Sequence, residues 1–291
     1  MCHRRKKRAG RSRGTDPRAA RMFGFGQWRR RRIISKSDLD DATWHRIAER
    51  FSFVARLTHD ERARLRDLTI LFMHGKQISA AGGLELNQEM KLGIAVQACI
   101  LVLELGIEHY DGWAEVIVYP DEFVSGHEFR NPDGLVEIDD TSYAGQAWIR
   151  GPVILSWADV EHAGESDGMN VVIHEFAHKL DMLNGEANGF PPLHAGMNRQ
   201  EWSRAFNLAY KDLCRRVKAG EHTDIDPYAT ESPGEFFAVV SEAFFEIPDI
   251  VRAVYPQVYG QLAQFYRQDP ASRELPRDWR LKWTAAVRSE G

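Results

Sequence analysis

The stretch VVIHEFAHKLDMLNG, Val171–Gly185, limits the fold more than any other part of the sequence. Apolar residues fall at Met169, Val172, Ile173, Phe176, Leu180 and Leu183, the spacing of a buried helical face. Asp167 or Asn170 can cap the start of such a helix, and Asn184-Gly185 can end it. The same helix carries His174, Glu175 and His178. A buried helix with these side chains either holds a metal ion or turns two histidines to water as an ordinary amphipathic helix.

Histidines at i and i+4 project on one helical face, about one turn apart. Both imidazoles can then reach one zinc ion at about 2.0–2.1 Å. Glu175 lies beside that face and can take a proton from a water molecule attacking a carbonyl, then return it. This is the H-E-x-x-H pattern of zinc peptidases. Lys179 follows the second histidine, where many zinc peptidases carry an uncharged residue. Asp181 can either accept a hydrogen bond from the outer nitrogen of a ligand histidine or face solvent.

A catalytic zinc needs a third protein ligand and an open position. No third histidine follows at the metzincin distance, where Asn184 and Gly185 stand instead. The remaining candidates lie in YATESPGEFFAVVSEAFFE: Glu235, Glu242 and Glu246. Glu235 and Glu242 are seven apart, so they share a helical face, and spacing alone does not choose between them. Ser232-Pro233-Gly234-Glu235 also reads as a helix start, with Glu235 in a capping box.

Around this segment the chain reads as α+β. Helical patterns run through SKSDLDDATWHRIAERF, LTHDERARLRDLTILFMHG (Thr58 as N-cap, Gly75 as C-cap) and LNQEMKLGIAVQACILVLELG (capped by Asn87). They return from Met169 to the end of PQVYGQLAQFYRQDP. Ala114–Pro120 and the region around Val153 read as strands. Helices outnumber strands and the strands are grouped, which argues against alternating βαβ units. The expected fold is mainly helical and zincin-like, with a small mixed β-sheet and one H-E-x-x-H helix. Val153–Trp157, shortly before that helix, is the candidate sheet edge on which a peptide could lie as an added strand.

Charge divides the chain. Residues 1–32 hold thirteen Lys/Arg and one acid, Asp16. Residues 1–36 are expected to be a basic, disordered leader, with Met22 as an alternative start, followed by one peptidase domain over 37–270 and a tail over 271–291. No aromatic–basic pattern or zinc knuckle accompanies the basic run, so direct nucleic-acid binding is not expected. The longest apolar run, around Ile94–Leu105, is broken by Gln97 and Glu104, and no membrane association is expected. Three dispersed cysteines without a CxxC pair fit a cytoplasmic protein. No glycine-containing stretch has the strand–glycine–helix context of a phosphate-binding loop.

HEFAHKLDMLNG, PYATESPGEFFAVVSEAFF and FYRQDP, in this order, resemble the Mlc titration factor A family of bacterial zinc peptidases. The similarity runs from about Trp28 to about Asp269. The family's active site is in turn similar to the catalytic domain of anthrax lethal factor. The resemblance implies that His174, His178 and Glu235 hold zinc, that Glu175 is the general base, and that Tyr228 assists catalysis. A phenol there could donate to the oxyanion. It also implies cytoplasmic location, aminopeptidase activity on peptide substrates, and binding of an Mlc-like transcriptional repressor. The alternative is a regulatory protein that sequesters a repressor and has little peptidase activity of its own.

Overall fold

The computed structural model describes residues 17–120, 151–164, 166–276 and 279, with side chains from residue 26 onward. By internal contacts the chain falls into two units, Met1–Asp38 and Leu39–Gly291.

In the first unit, α1 spans Pro17–Ser35. The sequence reading expects no regular structure there. Pro17 suits a first helical position, and the Arg, Ala and Met residues that follow are good helix formers. The Arg32 guanidinium lies 5.4 Å from the Trp28 ring centre.

The second unit opens with α2 (Asp41–Ala48), whose N-cap Asp40 accepts from Thr43 N at 2.9 Å. A single turn, α3 (Ser52–Ala55), leads to α4 (His59–Gly75). The predicted Thr58 cap is a full capping box: Glu61 N donates to Thr58 Oγ1 at 3.3 Å and Thr58 N donates to Glu61 Oε2 at 2.8 Å. Gly75 is the last helical residue rather than a left-handed cap, and the chain passes through extended Lys76 into β1 (Gln77–Ala80). α5 (Gln88–Leu101) starts at the predicted Asn87 cap. β2 (Glu115–Tyr119) and β3 (Val153–Ser156) follow, and Trp157 begins α6 (Trp157–His162) instead of extending the strand.

The three described strands lie in the order β1-β2-β3. Both pairings are parallel, Ile78 opposite Val116 and Val116 opposite Val153. Among the described residues the strands pair only in parallel, and the part of the predicted strand or hairpin before Gly151 lies outside the described residues. A strand pattern carries no direction, whereas a helix between two adjacent strands, here α5, returns the chain to run parallel. β2 alternates in burial, with Val116 and Val118 fully buried and Glu115, Ile117 and Tyr119 half-buried.

Two helices carry the chemistry: α7 (Val171–Asp181) and α9 (Pro233–Glu246). Between them runs α8 (Arg199–Lys218), and α10 (Pro248–Val254) and α11 (Pro256–Tyr266) complete the unit. α7 packs on α9, α5 and β3. Its inner face is anchored by Phe176, which meets Tyr110, Phe72 and Trp113 with ring centres 5.2, 5.6 and 5.6 Å away. A second aromatic cluster, Trp202, Phe206, Phe237 and Phe265, holds α8 and α11 against α9. Among the described residues no helix is long and apolar enough to cross a membrane.

Phe176 is completely buried and lies between the two histidines in sequence. Phe176→Ala should lower unfolding free energy by about 3–5 kcal/mol in urea titrations. A loss below about 1 kcal/mol would mean that the cluster does not anchor α7.

Candidate metal centre

The α7 helix begins where Asn170 caps it, accepting from Ile173 N at 3.0 Å. Of the two predicted caps, Asn170 is the one used, while Asp167 accepts from Met169 N in the preceding loop. With the start fixed, His174 and His178 fall one turn apart, and their Nε2 atoms are 3.1 Å from each other. Glu235 enters from the first turn of α9, next to its cap Ser232, whose hydroxyl accepts from Glu235 N at 3.1 Å. Glu235 Oε2 is 3.0 Å from His174 Nε2, and its Oε1 is 3.4 Å from His178 Nε2. Ligand atoms of these three residues all lie within 4.8 Å of one another, the one such cluster among the described residues.

Glu242 takes a different place. Its Oε1 lies 2.7 Å from His174 Nδ1. That contact places a proton on Nδ1 and leaves Nε2 as the nitrogen that faces Glu235 and His178. Glu235 and Glu242 thus meet the same histidine at opposite nitrogens. Spacing could not separate them because both sit on one face of α9; the axial offset along α7 does.

The residues fit a cation. Two imidazole nitrogens and a carboxylate are the donor set of a tetrahedral site with an open position. Glu235 Oε2 is buried and lacks a hydrogen-bond partner within the protein. Electrostatics point the same way. Burial alone would lower the His174 pKa, but the Glu242 and Glu235 carboxylates outweigh it and hold the imidazole well above its ordinary value. Burial would raise Glu235, yet the adjacent His174 and His178 imidazoles bring it well below the carboxylate range. Burial dominates at Glu242 and raises it, against the pull of His174. A positive charge is what these groups collectively stabilise.

Glu175 is half-buried on α7, adjacent to His174. Tyr228 sits in a short 3-10 turn, Pro227–Thr230, where Asp226 accepts from its backbone N–H at 2.8 Å. Its ring centre is 6.1 Å from that of His174. All five residues singled out from the sequence, His174, Glu175, His178, Tyr228 and Glu235, therefore lie on α7, on α9 or in the turn just before α9.

Other readings resolve differently. Asp181 is fully buried and accepts from Gly189 N at 2.6 Å, while its Oδ1 and His178 Nδ1 make no hydrogen bond. It orders the loop after α7 rather than the His178 imidazole. That loop meets the first turn of α9 backbone to backbone. Gly189 has φ +75°, and a Cβ there would collide with the Pro233 carbonyl oxygen; one on Gly234 would lie 2.8 Å from Ala187 O. Glycine at both places lets the loop press Glu235 toward the histidines. Lys179 is buried and donates to Gly151 O at 2.9 Å, which ties α7 to the chain entering β3. Burial lowers its pKa to about 8, with Glu175 pulling it back up.

Glu246, one turn beyond Glu242, is also buried. Burial, opposed by the hydrogen bond from Asn170, pushes its pKa up to about 8 from a normal 4.5. The unfolded chain releases this proton near pH 4.5 and the folded protein near 8, so the group's contribution falls as pH rises between these values and levels off above. Glu246→Gln should flatten that part of the stability–pH curve in thermal melts from about pH 5 to about pH 9. An unchanged slope would contradict a proton on this carboxyl.

A family model described as glucose-regulated metallo-peptidase M90 matches residues 25–267. Similar proteins carry the name Mlc titration factor A. The one from Salmonella arizonae is 37% identical over 255 residues, covering 84% of this chain and 97% of that protein. Those from Salmonella gallinarum and Salmonella paratyphi B are each 40% identical over 227 residues, covering 76% of this chain and 84% of each relative.

Proposed function

Because the chain belongs to the glucose-regulated metallopeptidase family M90, we propose that it is a zinc-dependent peptidase, and specifically an aminopeptidase acting on short peptides. His174, His178 and Glu235 hold the ion. The observation that carries this reading is the convergence of their three ligand atoms within 4.8 Å, beside a glutamate on the same helix.

When bound, zinc supplies Lewis acidity toward the scissile carbonyl and the attacking water. The protein's own groups do the rest. Glu175 takes a proton from the water and later delivers it to the leaving amine. The Tyr228 phenol donates a hydrogen bond to the carbonyl oxygen as it gains charge. Glu242 keeps His174 in the tautomer that turns Nε2 to the ion, the part a carboxylate plays behind many ligand histidines. β3 is an edge of the sheet among the described residues, and the Lys179–Gly151 hydrogen bond links it to the metal helix. A peptide adding along that edge would be held by backbone hydrogen bonds, which require no particular side chains.

A second reading rests on the relatives' name. Mlc titration factor A denotes a protein that titrates Mlc, and on this reading the chain also sequesters an Mlc-like repressor in the cytoplasm. Hydrolysis and sequestration need not share residues, so one variant separates them. Glu175→Gln should retain zinc, lose about two to four orders of magnitude in hydrolysis of aminoacyl substrates, and still co-purify with an Mlc-like repressor. Turnover equal to wild type would rule out the proposed general base. Failure of both proteins to capture the repressor would remove the second reading.

A further inference from the structure

Asn170 uses every hydrogen-bonding group it has. Its Oδ1 accepts from Ile173 N at 3.0 Å, the ordinary helix cap. Its backbone oxygen accepts from His174 N at 2.9 Å. Its backbone N–H donates to Glu242 Oε2 at 2.5 Å, on the carboxylate whose other oxygen meets His174 Nδ1 at 2.7 Å. The side-chain amide donates twice more, to Gln97 Oε1 on α5 and to Glu246 Oε1 on α9, both at 2.8 Å. The residue is 1% exposed.

A cap needs only the first of these bonds. Ser, Asp or Asn caps a helix about equally well. The two amide bonds do something a shorter cap could not. They pin the point where α7 begins to two neighbouring helices, and so fix where the backbone N–H meets Glu242. Asn170 joins Gln97, Glu246 and Glu242 in one buried network, which reaches His174 through Glu242. Three carboxylates, Glu235, Glu242 and Glu246, run along one stripe of α9, and Asn170 supplies donors to the two that lie farther from the ligand cluster.

We infer that Asn170 is a positioning residue for the metal centre: its amide, held by Gln97 and Glu246, sets Glu242 and through it the His174 imidazole. This rests on the reading of His174, His178 and Glu235 as the ligands. Its consequence is specific. Loss of the Asn170 amide weakens metal binding only as far as Glu242 transmits the effect.

The test is zinc affinity by chelator competition in wild type, Asn170→Ser, Glu242→Gln and the double variant, with thermal melts to establish folding. Asn170→Ser keeps a capping oxygen, yet should bind zinc about 10–100-fold more weakly, the usual effect of removing support behind a ligand. Its loss should disappear in the Glu242→Gln background, since residues acting through one another are not additive. Gln97→Leu, which removes one of the two acceptors without touching the cap, should give a smaller loss of the same kind and serves where Asn170→Ser does not fold. Wild-type affinity in the single variants, or losses that multiply in the double variant, would overturn the inference while leaving the ligand assignment intact. No zinc on wild type would overturn both.

Discussion

The structure depends on burying three carboxylates along one helix. α9 is buried from Gly234 to Glu246, and nothing in an apolar environment stabilises an unpartnered carboxylate. Each of the three therefore needs a partner, and each finds it on or beside α7. Glu235 meets the two Nε2 atoms, Glu242 meets His174 Nδ1 and the Asn170 backbone, and Glu246 meets the Asn170 amide. The requirement fixes the register of the two helices. A one-turn slide of α9 would break these pairings. The candidate metal centre lies at the end of the stripe where a carboxylate meets two imidazole nitrogens, the place where a cation would complete the set.

The surrounding packing holds that register against thermal motion. Phe176 anchors α7 from behind in a cluster of four rings, and Trp202 fixes the loop after α7 by donating to Gly189 O at 3.0 Å. Lys76 and Lys179 both lie near Trp113, with ammonium groups 3.8 and 5.8 Å from its ring centre. Burial lowers the Lys76 pKa to about 8, as it does at Lys179. Both amines are bonded to carbonyls of the chain around the sheet, so their charge is spent on joining helices to strands. The same helix thus has a dry aromatic side, a lysine strap to β3 and a ligand face.

Much of this was legible in the sequence, for local reasons. Periodicity and caps gave α4, α5 and α7, because Thr58, Asn87 and Asn170 hydrogen-bond within a few residues of themselves. The histidine pair needed only helical spacing. The choice between Glu235 and Glu242 was not local: an i, i+7 pair shares a face, and only the placement of α9 along α7 separates their roles. Gln97 read as a break in an apolar run, since its partner is 73 residues away. β1, four residues with Ile78 as the one buried apolar side chain, lacks an alternating pattern long enough to notice. Sheet direction and the loop contacts of Gly189 and Gly234 likewise belong to tertiary structure. Asp181, which looked equally suited to a ligand histidine, was claimed by a backbone N–H.

The central claim is that Glu235 is a ligand while Glu242 supports one. Elemental analysis after dialysis with zinc in excess tests it on wild type, Glu235→Ala and Glu242→Ala. The account predicts one zinc per chain in the wild type, none in Glu235→Ala, and retention of the ion by Glu242→Ala. Zinc kept by Glu235→Ala and lost by Glu242→Ala would contradict it.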